Sequence, residues 1–519
     1  MRKIVFILAV VFLSMDILGS QEKARSTEER ARFDSRNLIH EIENTIGLIK
    51  KGAFSQTTEF IESKLRNKSA LSPHEAKILE KYLADIKAVK REYTLSYAEV
   101  VEKLKAAIPD LSALDMRKWE EDDSLEYYLI DGEKKYYDNC LSDLFRVNRE
   151  AAKRAKVLDD NPYDASTYPL ETIASFEKGV ELSRRINISF TFFEEVGGLP
   201  DATVLKAWIP YVRANVYQSD IKIVRSSVEK LTFPHKDDFV SMLYFEKVID
   251  QKNISNAAWR SYFAKPVPSW IRPMKNPASL NDFIFVCQFV YAFDSKGFYK
   301  KVDPGDIQPY RTSSREYQKY TEETENHIWT PFLRKRSKDI VGNETNPYLR
   351  AKKIYQWICE NIVWADPKPV LGDWAEYTAK YKRGDCASKA NLFISLCRMN
   401  DIPARVQGGW RVEPNGGHSQ HSWAQVYFES LGWLPVDADA GSALIRRSDE
   451  NLRYFYFGNR TPYRMIINDD EEGNFLPAKK HPCLYGGGAQ LGAFEWKDGD
   501  IEPNVKIDSY VSLNRRHRE

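Results

Sequence analysis

The chain has 519 residues, 43% of them hydrophobic and 29% charged, with a formal net charge of +2. That length exceeds a single hydrophobic core and predicts several domains. The near-neutral charge gives no warrant for a nucleic-acid partner or for an anionic membrane surface.

The chain opens with Arg2-Lys3, an apolar run from Ile4 to Leu13, and the small pair Gly19-Ser20. A basic start, a short apolar stretch and small residues at its end predict a secretory signal peptide over residues 1–20. The run is too short to span a bilayer, and no later segment approaches that length. The expected location is therefore periplasmic or secreted, with no integral membrane segment beyond the signal peptide. Six cysteines, Cys140, Cys287, Cys359, Cys386, Cys397 and Cys483, are scattered without a C-x-x-C pair. Their spacing suits neither a zinc site nor a framework made mainly of disulfides.

Residues 21–180 read as a helical region. Ser72-Pro73 with Glu75, and Ser96 with Glu99, carry the cap and acidic residues of helix starts. Aromatics are dense from Trp119 to Phe145, and Asp131-Gly132 marks a turn. From Ile186 the period changes to two, through Ile188, Phe190 and Phe192. Val204–Ile209, Ile221–Val224, Met242–Phe245 and Phe283–Phe293 follow as strands, so 186–300 reads as a β-sandwich domain. Residues 301–345 form a polar linker. Asn346-Pro347 then opens a helix with Ala351, Ile354, Tyr355 and Ile358 on one face. A loop carrying Trp364, Trp374 and Tyr381 leads to a second helix.

Asp385 is a good cap for that second helix, and Ala390, Phe393, Leu396 and Cys397 recur at helical spacing. Cys386 then occupies its first position, where free amides and the helix dipole favour a thiolate. His421 to Tyr427 and Trp433 to Asp437 read as two strands of a hairpin joined near Glu429. The start of the first strand lies beside the end of the second, so His421 and Asp437 can be neighbours. Their side chains share a face only if the loop has an odd length or a bulge intervenes. With that register, a thiol, an imidazole and a carboxylate form the parts of a nucleophilic acyl-transfer site.

Gly384-Asp385-Cys386 leading a helix, Asp401-Ile402-Pro403-Ala404-Arg405, Gly409-Trp410, His421-Ser422-Trp423 and Gly432-Trp433-Leu434-Pro435-Val436-Asp437 stand in this order. Together they resemble the core of the transglutaminase-like superfamily. The resemblance implies a papain-like core over 346–470, with the Cys helix packed on an antiparallel sheet. It assigns Cys386 as nucleophile, His421 as base and Asp437 as orienting acid. The segment around Trp208-Ile209-Pro210 also resembles the domain that precedes bacterial members. Asp385 and Ala387 replace the residues that usually flank Cys in cross-linking relatives, and the tail barrels and calcium sites of those enzymes have no counterpart. The expected class is therefore α+β and multidomain, with residues 471–519 as a C-terminal β extension.

Other residues in the same stretches have plainer readings. His418 is a loop residue beside the cleft, and Cys397 lies about 16 Å from Cys386 along the helix axis and belongs to its packed face. Asp439 is the alternative carboxylate. Besides the Cys386 backbone N–H, an oxyanion needs a second donor. Trp364, Trp374 and Tyr381 are its candidates, or else walls of the substrate cleft. The expected reaction is hydrolysis of a peptide or carboxamide through a thioester, on a peptide, protein or peptidoglycan-like substrate. The alternatives are transamidation of protein glutamine and a non-catalytic scaffold. The chemistry implies no cofactor or metal, and the sequence does not set the oligomeric state.

Overall fold

The structure is a computed structural model that describes residues 52–66, 71, 73–157, 165–235, 238–249, 284–324, 326–470, 475–481 and 488–512. The signal-peptide segment, Ser72 and Cys483 lie outside the described residues. The fold mixes helices with antiparallel sheets and divides into two compact units. Among the described residues no helix is long and apolar enough to cross a membrane.

The first unit comprises Met1–Asp160, Thr324–Ile328 and Val363–Arg383. Helices Tyr97–Ala107 and Ala113–Glu121 each begin with a capping box, Ser96 with Glu99 and Ser112 with Asp115. Their apolar faces bury Val100, Leu104, Met116 and Trp119 in a core shared with Phe54, Leu79, Ile86 and Leu144. This region is not all helix, because a hairpin of β1 (Tyr127–Ile130) and β2 (Glu133–Tyr136) interrupts it. Asp131 and Gly132 both have positive φ, which makes the tight turn between the two strands.

Val363–Arg383 is pinned into this unit by polar contacts. Lys368, 6% exposed, pairs with both Glu126 and Asp143. Asp143 Oδ1 accepts the Asp366 N–H at 3.0 Å, and Tyr377 donates its hydroxyl proton to Glu126 at 2.6 Å. The stretch read as a loop contains a helix, Trp374–Tyr381, capped by Asp373, whose side chain accepts the Glu376 N–H at 2.7 Å.

The second unit comprises Asn161–Glu323, Trp329–Ile362 and Gly384–Glu519. Its strands are β3 (Ser183–Glu195), β4 (Thr203–Pro210), β5 (Gln218–Ser226), β6 (Met242–Ile249), β7 (Ile284–Lys296), β8 (Ala404–Val412), β9 (His418–Phe428), β10 (Gly432–Val436), β11 (Arg464–Asn468), β12 (Ala493–Trp496), β13 (Gly499–Ile501) and β14 (Val505–Ser512). Among the described residues they form three four-stranded sheets, ordered β14-β3-β7-β5, β13-β12-β4-β6 and β10-β9-β8-β11.

Two sequence-based boundaries differ from this arrangement. The strands of the C-terminal segment are not a separate extension. β14 pairs with β3 from Val505↔Phe192 to Ser512↔Arg185, and β12 pairs with β4, so both complete sandwich sheets. Nor does the sandwich have a core of its own. Phe190, Trp208 and Tyr291 share one apolar cluster with Trp410, Val412, Met465 and Ile467 of the third sheet. The segment read as a linker carries helices Arg315–Tyr320 and Pro331–Val341.

The third sheet carries the candidate site, and helix Cys386–Arg398 packs on β8 and β9. Gly409 stands opposite His421 of β9 on one side and pairs with Ile466 of β11 on the other. A Cβ at Gly409 would lie 1.8 Å from the Met465 carbonyl oxygen, which is backbone and cannot swing away. Gly409→Ala is therefore expected to cost about 3 kcal/mol or more in stability. At Gly198 a Cβ meets nothing within 4 Å. Gly198→Ala should stay within about 0.5 kcal/mol of the parent when both variants are compared with it by urea denaturation.

Candidate active site

Cys386 is the first residue of helix Cys386–Arg398, as its cap chemistry predicts. The Asp385 carboxylate accepts the Ser388 N–H at 2.9 Å, which satisfies one of the open amides at the helix start. The thiol is half-buried, whereas Cys140, Cys287, Cys359 and Cys397 are buried free cysteines. Burial pushes the Cys397 thiol well above its ordinary range, in keeping with a packing role.

The hairpin register decides whether His421 and Asp437 can meet. Phe428 pairs with Gly432 across three loop residues, and Val436 pairs with Ala424. The odd loop length places His421, Trp423 and Asp437 on one face of the sheet. His421 Nε2 lies 2.7 Å from Asp437 Oδ2, and both side chains are buried. Nδ1 is then the ring nitrogen left free of Asp437, and the Cys386 thiol is among the groups that raise the His421 pKa.

The electrostatics follow from this geometry. Burial alone disfavours an imidazolium at His421. The charge and hydrogen bond of Asp437, joined by those of Cys386, outweigh it and raise His421 from 6.5 to about 10. Burial likewise disfavours the Asp437 carboxylate, but His421, Arg464 and the Ala440 amide hold it well below the usual range. The arrangement therefore favours an imidazolium beside the thiol over a neutral ring. That charge distribution is the one a thiol nucleophile uses at neutral pH.

The chain turns sharply after β10, and this separates the two carboxylates. Asp437 ends the extended segment and caps the short helix Ala438–Ser442, its Oδ1 accepting the Ala440 N–H at 2.9 Å. Asp439 then lies within that helix and bonds Lys389 Nζ at 2.8 Å. Lys389 is 2% exposed and also donates to Ser442 Oγ at 3.2 Å, so it ties the Cys386 helix to the helix that Asp437 caps. The carboxylate bonded to His421 is thus Asp437, and Asp439 is bonded to Lys389.

His418 Nδ1 lies 3.2 Å from the Gly416 carbonyl oxygen, and the ring stands beside Trp410. Trp364, Trp374 and Tyr381 all belong to the first unit. Within it, Arg146 stacks over Trp364 at 4.2 Å, and Tyr381 packs on Tyr377 with ring centroids 4.9 Å apart.

Two site residues escape a reading of the sequence. The Gln490 amide donates to the His421 carbonyl oxygen at 2.9 Å and so fixes the backbone that carries the imidazole. Arg464 donates to Asp437 Oδ2, the oxygen that His421 also uses. In the sequence Arg464 looks only like the start of an apolar strand. Its signal is a charge at the head of Met465-Ile466-Ile467 with no counter-charge within the strand.

The chain is similar to known proteins over parts of its length. Residues 334–438 match the family model of the transglutaminase-like superfamily. An uncharacterized protein of Haemophilus influenzae is 31% identical over 237 residues, covering 38% of this chain and 63% of that protein. The chain thus spans less than two thirds of the curated relative it matches. Among solved structures, a "putative cysteine protease" from Cytophaga hutchinsonii aligns over 65% of this chain and 95% of its own, with 12% identity and a TM-score of 0.38. The periplasmic domain of TgpA from Pseudomonas aeruginosa aligns over 54% of this chain and 93% of its own, with 14% identity and a TM-score of 0.26. Cys386, His421 and Asp437 all lie within the segment that matches the transglutaminase-like superfamily model.

Proposed function

We propose that the protein is an exported thiol-dependent acyl-transfer enzyme that hydrolyses peptide or carboxamide bonds. The Cys386 thiolate attacks the carbonyl carbon and forms a tetrahedral intermediate, with the Cys386 backbone N–H as one oxyanion donor. The C–N bond breaks as His421 gives its proton to the leaving amine, which leaves a thioester on Cys386. Water then attacks the thioester as His421 takes up a proton, and the acid departs with the thiol restored. Asp437 holds the ring so that Nδ1 faces the sulfur. The observation that carries this reading is the 2.7 Å bond between His421 Nε2 and Asp437 Oδ2, on a sheet against which the Cys386 helix packs. The family match supports a thiol enzyme at the level of the superfamily. Export rests on the basic and apolar pattern of residues 1–20.

Water is preferred to an amine as the second substrate on residue grounds. Asp385 and Ala387 flank the nucleophile where cross-linking relatives differ, and water is abundant wherever the thioester is not sheltered. The test compares fragment or ammonia release from a peptide library and from purified peptidoglycan with incorporation of a fluorescent primary amine. Release should dominate, and both signals should vanish in Cys386→Ala. Dominant amine incorporation that disappears in the same variant would make transamidation the reaction.

His421 is raised in the folded chain, so the stability its charged form contributes is complete below about pH 6.5 and lost as pH rises through about 10. Because the imidazolium also supplies the proton for the leaving amine, turnover should hold through neutral pH and fall on the alkaline side near pH 10. A pH–rate profile that already collapses near pH 7 contradicts the charged pair.

A further inference from the structure

One buried charge touches the candidate site without a part in the thiol chemistry. Arg464 opens β11, and its side chain is 5% exposed. Its guanidinium donates to Asp437 Oδ2, which also binds His421 Nε2 at 2.7 Å. The guanidinium carbon lies 4.6 Å from the Trp423 ring and 5.6 Å from the Tyr456 ring. Both neighbours are themselves tied to the site. Trp423 follows His421 by two residues on β9 and donates its indole N–H to Gln407 at 2.7 Å. The Tyr456 carbonyl oxygen accepts the Asp437 N–H at 2.9 Å. From the sandwich side, Ser295 Oγ of β7 donates to the Arg464 carbonyl oxygen at 3.0 Å.

A buried ion pair is a weak source of stability, because removing both ions from water offsets most of their attraction. Its placement here does more. With Oδ1 held by the Ala440 N–H and Oδ2 held by two charged donors, the Asp437 carboxylate has one orientation. We propose that Arg464 is a positioning residue of this site, fixing the Asp437 carboxylate against His421 and adding a positive charge that favours the Cys386 thiolate. This rests on the reading of Cys386 as the nucleophile.

The charged neighbours set the direction of the effect. His421 is faced by Asp437 and Cys386. Arg464 is faced by Asp437 and by Arg460, whose charge is disfavoured by burial and by Arg464 and only partly offset by Tyr217 and Asp469. Lys389 is engaged by Asp439. Removing the charge of Arg464 makes the thiolate harder to form and the imidazolium harder to discharge, so both limbs of the pH profile move upward. Removing the charge of Asp437 acts the other way on the alkaline limb.

The test is the rate of Cys386 alkylation by iodoacetamide from pH 4 to 10, read by peptide mass spectrometry on the full chain. Arg464→Gln keeps a donor for Asp437 and loses the charge, Arg464→Met is a second neutral variant, and Arg464→Lys keeps the charge. In either neutral variant the rise in alkylation should move up by about half a pH unit or more, and in Arg464→Lys it should return toward the parent. Neutral variants that overlay the parent while only melting earlier would reduce Arg464 to a packing role and overturn the proposal. A parallel His421→Ala profile keeps the two levels apart. If that profile overlays the parent, the pairing of Cys386 with His421 is itself wrong, whatever the Arg464 variants do.

Discussion

Cys386→Ala is expected to lower amide hydrolysis by a factor of about 10³ or more while the chain still folds. The two halves of this prediction have separate causes. Chemistry is lost because His421 and Asp437 can orient a proton donor but cannot form the thioester. Folding is kept because the thiol is half-buried at a helix start, and alanine is a good helix former that leaves the Asp385 cap intact. Activity against a responsive peptide, beside the far-UV spectrum and melting curve, separates the two. Retained activity in a well-folded variant would move the nucleophile elsewhere, although the other described cysteines are buried.

Asp437→Asn should damage both rate and stability. The carboxylate serves His421, Arg464 and the Ala440 amide together. An amide has one acceptor atom where the site needs two, so its NH2 group is turned toward donors and the buried Arg464 loses its counter-charge. Removing one partner of a buried ion pair costs about 3–5 kcal/mol. A misoriented imidazole lowers turnover by about 10²–10⁴-fold. The pH effect has a definite sign too. Asp437 raises His421, so in the variant the alkaline fall in turnover should begin below the parent's value of about 10. A variant with parent-like melting and an unmoved alkaline limb would show that Asp437 neither neutralises Arg464 nor supports His421.

Much of the site was legible in the sequence because its parts are local. Asp385 before an apolar helical repeat marks a helix start, which puts Cys386 where dipole and amides act. Two short strands in one hairpin bring residues 421 and 437 near each other, while the register that puts them on one face is set by a three-residue loop that the structure defines. Asp439 and Asp437 look alike in the sequence, since the direction of Asp439 depends on β10 stopping at Val436 and a helix beginning at Ala438.

What was not legible depends on pairings between distant stretches. Lys368 meets an acid 225 residues away, so the fate of Val363–Arg383 cannot be read from its own composition. The C-terminal strands read as an appendage because their partners, β3 and β4, lie some three hundred residues earlier. Arg464 was hidden for the same reason. A strand's pattern shows which positions are apolar, while the carboxylate that makes a buried arginine tolerable sits on another element.

The most direct measurement of the central claim is the second-order rate of iodoacetamide labelling at Cys386 at pH 6, in the parent and in His421→Ala. An isolated thiol is almost wholly protonated at that pH and reacts slowly. If His421, held by Asp437, carries the proton in place of the sulfur, Cys386 should label first among the cysteines, at least about tenfold faster in the parent than in the variant. Equal rates in the two proteins would contradict the thiolate–imidazolium pair on which the proposed chemistry depends.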